Sequence, residues 1–178
     1  MTIRKKWGLL SLLILLVIGI IGCTEKANEN TSTPKEENTS SIDKKKDEKD
    51  KATIETEIKE MLKVHEDAYN KEDIDTYMST MSQSSALLEQ TKQMTQLLFD
   101  SFDVQVEFTD IKITTSTEAS ATVEIIQKTV SKKPNPDFQD NITTATHFLV
   151  KEDNKWRISA STLKKITDLK GNPIQQKT

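Results

Sequence analysis

The sequence predicts an α+β domain: three N-terminal helices packed on a curved antiparallel sheet of about four strands. Three observations lead there. Apolar residues recur at helical spacing from Ile54 to Phe102. They then alternate with a period of two from Val104 to Ala160. Helices come first and strands follow, an order that favours helices layered on one face of a sheet rather than a parallel α/β arrangement.

The first helix carries Ile54, Ile58, Met61, Leu62, His65 and Tyr69 on one stripe and ends near Lys71. Asp73 stands where an N-cap belongs, ahead of a short second helix with Ile74, Tyr77, Met78 and Met81. Leu87, Leu88, Thr91, Met94, Leu97, Leu98 and Phe102 give a third, whose polar face holds Glu89, Gln90, Lys92, Gln93 and Gln96. In the first strand Val104, Val106 and Phe108 alternate. Ile111 and Ile113 continue one step out of phase, which places a bulge near Thr109-Asp110. Ala119, Ala121, Val123 and Ile125 begin a second strand, and Lys132 to Asp137, with two prolines, forms a loop. Ile142, Thr144, Thr146, Phe148 and Val150 mark a third strand. Glu152-Asp153-Asn154-Lys155 turns the chain, and Trp156, Ile158 and Ala160 start a fourth with all three on one face.

Ahead of this domain (residues 53–170) lie two segments of different character. Arg4, Lys5 and Lys6 precede an uncharged run of 16 residues from Trp7 to Gly22. A basic cluster followed by a short apolar run is the plan of an export signal, and the run falls short of the ~20 residues a spanning helix needs. It ends in Ile20-Ile21-Gly22-Cys23, which resembles the lipobox of bacterial lipoproteins. The resemblance implies cleavage between Gly22 and Cys23 and a lipid on the Cys23 thiol. It also implies a mature protein on the extracytoplasmic face of the cell membrane. Cys23 is the only cysteine, so no disulfide competes for it. Residues 23–52 read as the lipidated Cys and a polar spacer. From Thr24 to Ala52 they contain one large aliphatic residue, Ile42, too little to offset the entropy of ordering. The run Lys44-Lys45-Lys46-Asp47-Glu48-Lys49-Asp50-Lys51 suits a helical extension, a basic patch for lipid headgroups or a solvated spacer. The interleaved acids favour the spacer. Residues 171–178 read as a flexible tail.

Composition excludes several function classes. Without Arg4, Lys5 and Lys6 the formal charge moves from -3 to -6, and Arg157 is the one arginine left. A mildly acidic chain with one arginine is a poor match for nucleic acid. The glycines are at 8, 19, 22 and 171, so the domain has one. Phosphate-cradling loops, dinucleotide fingerprints and the G-x-S-x-G elbow all need more. His65 and His147 are the only histidines, and neither stands at ligand spacing from a cysteine or another histidine, so no metal site is implied. Asp73 and Asp75 lack the glycine and distal glutamate of a calcium loop. No cofactor is implied.

Two stretches carry a family resemblance. Ala68-Tyr69-Asn70-Lys71-Glu72-Asp73-Ile74-Asp75-Thr76-Tyr77 joins the first two helices, and Phe148-Leu149-Val150-Lys151-Glu152-Asp153-Asn154-Lys155-Trp156-Arg157-Ile158 forms a late hairpin. With the element order they resemble the nuclear transport factor 2-like superfamily over about residues 53 to 168. This superfamily has a cone-shaped fold that also holds ketosteroid isomerases, polyketide cyclases and many bacterial lipoproteins. Many members carry a short hairpin between the second and third helices, for which Ser82 to Ala86 leaves no room.

Isomerases of the superfamily pair a carboxylate base with a hydrogen-bond donor. Tyr69 and Tyr77 are the donors here, and Asp100, Asp103 and Asp110 are acids near the sheet, but no spacing selects a pair. No catalytic residue is therefore assigned. Tyr69, Tyr77 and Trp156 are the candidate pocket residues. The sequence favours a non-catalytic binding or adaptor module of the cell envelope. Its partners are then the membrane, through Cys23, and an envelope protein or small ligand. The alternatives are a small pocket enzyme of the isomerase or cyclase type and a structural accessory of an envelope complex.

Overall fold

The computed structural model describes residues 42–174, with side chains from Asp50 onward. The signal, Gly22, Cys23 and the spacer as far as residue 41 lie outside the described residues, as do residues 175–178. Three helices, α1 (Ile42–Asn70), α2 (Ile74–Ser79) and α3 (Leu88–Ser101), precede four strands, β1 (Val104–Ser116), β2 (Ser120–Ser131), β3 (Asn141–Glu152) and β4 (Lys155–Thr167). The strands form one antiparallel sheet in the order β1-β2-β3-β4, as the sequence predicts.

Helix α1 starts earlier than its apolar stripe. Residues 42–52, which composition assigns to the spacer, are helical. They contain neither glycine nor proline and are mostly lysine and acidic residues, which a helix tolerates. Packing against the core begins only at Ile54 and Ile58. At 1.5 Å per residue the 29-residue helix is about 43 Å long. Its C-terminal end closes with Glu72 at φ 56°. The Glu72 amide donates to the Tyr69 carbonyl and the Asp73 amide to that of Ala68, a Schellman ending. Asp73 then caps α2, accepting from the Thr76 amide (3.0 Å) and hydroxyl (2.7 Å).

The register fixes which side chains share a face. Across the sheet, Ile113 faces Val123, Val123 faces His147, and His147 faces Ser161. The neighbouring rows are Ile111, Ile125, Ala145 and Leu163 on one side, with Phe108, Gln127, Thr143 and Ile166 beyond, and Ala121, Leu149 and Ile158 on the other. These rows face the helices. The bulge between Phe108 and Asp110 keeps both halves of β1 turned inward, as the phase slip predicts.

The register settles the face of β3, which the sequence left open, and moves one residue of β4 off its expected face. In β3 the inward residues are Asn141, Thr143, Ala145, His147 and Leu149; Ile142, Thr144, Thr146, Phe148 and Val150 face outward, and Phe148 is 40% exposed. In β4 an irregularity between Phe148 and Leu149 pairs Leu149 with Ile158 but Phe148 with Ala160. Ser159 is the extra residue, so Ala160 leaves the face of Trp156 and Ile158. Its hydroxyl donates to the Phe148 carbonyl (2.9 Å).

The apolar core sits at the end of the sheet that carries the β3–β4 turn. There Ile58, Leu62, Met81, Val123, Leu149, Trp156 and Ile158 are buried together. Asp153 and Asn154, at φ 50° and 60°, make that two-residue turn. Both sheet edges are partly covered. The Asn70 side chain donates to the Val106 carbonyl (2.8 Å) and accepts from its amide (2.7 Å), as a neighbouring strand would. Glu66 accepts from the Phe108 amide (3.1 Å). At the other edge the segment after α2 runs along β4: Ile158 N–H donates to Thr80 and Ser82 N–H to Ile158, both at 2.8 Å. This single bridge stands where many superfamily members have a hairpin. Residues 171–174 are not a free tail. Gly171, at φ 88°, turns the chain so that Pro173 pairs with Thr167. Asp168 holds the turn by accepting from the Lys170 and Asn172 amides.

Candidate functional site

The other end of the sheet, away from the apolar core, holds a cavity of about 200 Å3 between the sheet and the helices. The composition of its walls follows from the elements that supply them. Helix α1 contributes His65, Glu66 and Tyr69, and α2 contributes Tyr77. Helix α3 adds Met94, Thr95 and Leu98. The inward rows of the sheet bring the polar Gln127, Thr129, Asn141, Thr143, His147 and Ser161, interspersed with apolar residues such as Phe108, Ala145 and Leu163. Ile174, from the folded-back end of the described chain, also lines it.

The polar groups of the lining are partly tied to one another. Gln127 donates to the Thr129 hydroxyl (3.0 Å) and Thr143 to the Asn141 side chain (3.2 Å). His147 Nδ1 shares a hydrogen bond with the Ser161 hydroxyl (2.6 Å). On the helix side His65 Nδ1 lies 2.6 Å from Thr80 Oγ1, whose own proton goes to the Tyr77 carbonyl (2.6 Å). The Thr80 oxygen therefore accepts from His65, which places the ring proton on Nδ1 and leaves Nε2 an acceptor. The His65 ring stacks with Tyr77 (centroids 4.3 Å apart) and, at longer range, with Phe108 (6.3 Å). Tyr69 meets Tyr77 and Phe99 edge-on at 5.7 and 5.1 Å.

Burial keeps the histidines and tyrosines of this site uncharged. Loss of hydration pushes His65 down to about 3, helped by the nearby His147. The same cause brings His147 to about 4. Desolvation also raises both tyrosines, Tyr77 to about 12, against an opposing hydrogen bond with Thr95. The carboxylates with resolved shifts among the described residues, Glu57, Asp67, Asp73, Asp103, Glu124, Glu152 and Asp168, are all lowered by donors or cations, and none lines the cavity.

Of the candidate pocket residues, Tyr69 and Tyr77 line the cavity and Trp156 does not. Trp156 is 4% exposed in the sealed core. Its indole donates to Glu57 (2.9 Å), which also receives Lys151 (2.6 Å), and this fastens α1 to the β3–β4 hairpin. Asp100 and Asp110 are exposed, and Asp103 pairs with Lys132 (3.0 Å) and Lys133 (3.3 Å) outside the cavity. Sequence reasoning missed His147, Ser161 and the Gln127–Thr143 rows. The signal was the alternation of Asn141, Thr143, Ala145 and His147, which share one face of β3. Among the described residues no group of three potential metal ligands occurs, and no helix is long and apolar enough to cross a membrane.

Comparison with solved structures finds the same fold at low identity. A nuclear transport factor 2-like protein of unknown function from Pseudomonas putida aligns at 11% identity and TM-score 0.57, over 71% of this chain and 97% of the other. A protein of unknown function with a cystatin-like fold from Nostoc punctiforme aligns at 17% and 0.52, over 61% and 88%. A candidate scytalone dehydratase from Novosphingobium aromaticivorans aligns at 16% and 0.53, over 73% and 99%. Among curated proteins none matches. The model of the anti-sigma-I factor RsgI9 C-terminal domain matches residues 60–169, which are 110 of the 178 residues and include the cavity walls from His65 to Ile166. With its nuclear transport factor 2-like fold, the chain belongs to the family of the anti-sigma-I factor RsgI9 C-terminal domain.

Proposed function

We propose that the chain is a lipid-anchored, extracytoplasmic binding module with a regulatory role, and that the cone cavity is its receiving site. The observation that carries this reading is the cavity itself: it mixes polar and apolar groups in its lining and includes histidines and tyrosines that stay neutral. A few convergent polar groups in a mainly apolar enclosure are what small-ligand sites share. A structural accessory would have a filled, wholly apolar cone. A proton-transfer enzyme would set a buried acid with a raised pKa against a tyrosine hydroxyl. Glu66, a carboxylate in the cavity lining, is instead occupied by the Phe108 amide and Lys63. The family's anti-sigma-I factor supports a regulatory role, and Ile20-Ile21-Gly22-Cys23 supports the anchor.

Two variants test the two halves of the proposal. Cys23→Ala should abolish fatty-acid labelling and leave an uncut precursor; normal processing would overturn the anchor. Ala145→Phe places a ring in the cavity from the inward face of β3. Wild type should gain thermal stability from some members of a set of ring-sized compounds, and Ala145→Phe from none. Equal responses in the two proteins would overturn the cavity as the receiving site.

A further inference from the structure

Resting on that reading, we propose that the cavity takes an uncharged, single-ring-sized ligand bearing a hydroxyl, which donates its proton to Nε2 of His65. Size sets the first limit. About 200 Å3 exceeds the ~150 Å3 cavity that takes benzene and falls below the ~300–1,000 Å3 of drug-sized sites.

Polarity sets the second. His65 Nδ1 is committed as a donor to Thr80, because the Thr80 proton is already spent on the Tyr77 carbonyl. Tyr77 and Phe108 both stack on the ring, and a hydrogen bond from a ligand is made at the ring edge, where Nε2 lies. Among the described residues Nε2 has no hydrogen-bond partner. It is also not sealed away from the cavity as the Thr146 hydroxyl is sealed in the sheet. The geometry thus offers a bare acceptor, and a donor on the ligand satisfies it.

Charge sets the third. Neither histidine is protonated near neutral pH, so an anion finds no counter-charge inside. The acids at the lining are Glu66, held by Lys63 and the Phe108 amide, and Asp137, in the loop before β3. A charged ligand would lose its hydration with little in return. The polar side chains of Gln127, Asn141 and Thr143 can take further neutral polar groups on the ring.

The test uses the full chain and four probes of one ring each: phenol, anisole, benzoate and benzylammonium. Calorimetry should show phenol binding at least about tenfold more tightly than anisole, the value of roughly one neutral hydrogen bond. Both ions should bind more weakly than phenol. Nitrogen-15 spectra of the imidazoles should show His65 protonated at Nδ1. Thr80→Val removes the hydroxyl that sets this tautomer and should shrink the preference for phenol over anisole while anisole still binds. Should that variant not fold, the wild-type spectrum and the phenol-to-anisole ratio decide alone. Equal binding of phenol and anisole, or tighter binding of an ion, would overturn the assigned ligand class yet leave the cavity a binding site. Binding of no probe at all would overturn both.

Discussion

Replacing Trp156 with alanine removes the side chain that joins the first helix to the last hairpin. Trp156 is 4% exposed, so truncation uncovers nearly all of its surface. A buried aromatic of that kind covers ~150–250 Å2, worth ~4–6 kcal/mol at 25 cal/mol per Å2 as an upper bound. Measured truncations of large aromatics cost ~3–5 kcal/mol. The lost bond to Glu57 adds little, because that carboxylate keeps Lys151 and is 40% exposed. About 4 kcal/mol is expected. At ~3–5 °C per kcal/mol for a domain of this size, the melting temperature should fall by roughly 12–20 °C. Urea titration followed by far-ultraviolet circular dichroism measures it, with an unchanged slope showing that the folded state is otherwise intact. Trp156→Phe keeps a ring in the core and loses the N–H bond, so its cost should be ~1–2 kcal/mol. A loss below ~1.5 kcal/mol for the alanine variant would refute the reasoning, since it would mean that Trp156 is not a main support of the core.

Two further perturbations test the site's electrostatics and the sheet edge. His65 and His147, near 3 and 4 when folded, are neutral where the unfolded chain already takes up protons, below ~6.5. The unfolded state then binds more protons, so stability falls with falling pH between ~6.5 and ~4, by at most ~2.7 kcal/mol per unit for two sites. Urea midpoints at half-unit steps check this, and a flat profile down to pH 4.5 would contradict the neutral pair. Asn70→Ala strips both bonds from the Val106 backbone at the β1 edge and should cost ~1–2 kcal/mol, with faster amide exchange at Val106 as the local signature.

Much of the fold was legible in the sequence because it rests on periodicity and local chemistry. The stripe from Ile54 to Tyr69 gives the packed part of α1, Asp73 gives the α2 cap, and the Phe108–Ile111 phase slip gives the β1 bulge. What failed depended on the third dimension. Alternation alone does not say which side of β3 meets the helices. At this end of the sheet the inner face lines a cavity with polar groups among its lining, and Asn141, Thr143 and His147 turn in. The bulge at Ser159 has no glycine or proline to announce it, and it carries Ala160 to the far side. Residues 42–52 have too little apolar content to predict order, yet they continue a helix nucleated by the stripe that follows. Of the site, Tyr69 and Tyr77 could be named because aromatic residues at a helix–helix turn must pack somewhere. His65 was legible as a member of the α1 stripe, and its partner, Thr80, required the structure.

The most direct measurement is a methyl-resolved nuclear magnetic resonance titration of the folded chain with phenol. The cavity methyls of Met94, Leu98, Ala145 and Leu163 should shift in a saturable manner, while Ile58 and Val123 in the sealed core hold their positions. Shifts confined to Ile142 and Val150 on the outer face of the sheet, or no saturable shift at any methyl, would contradict the assignment of the cavity as the receiving site.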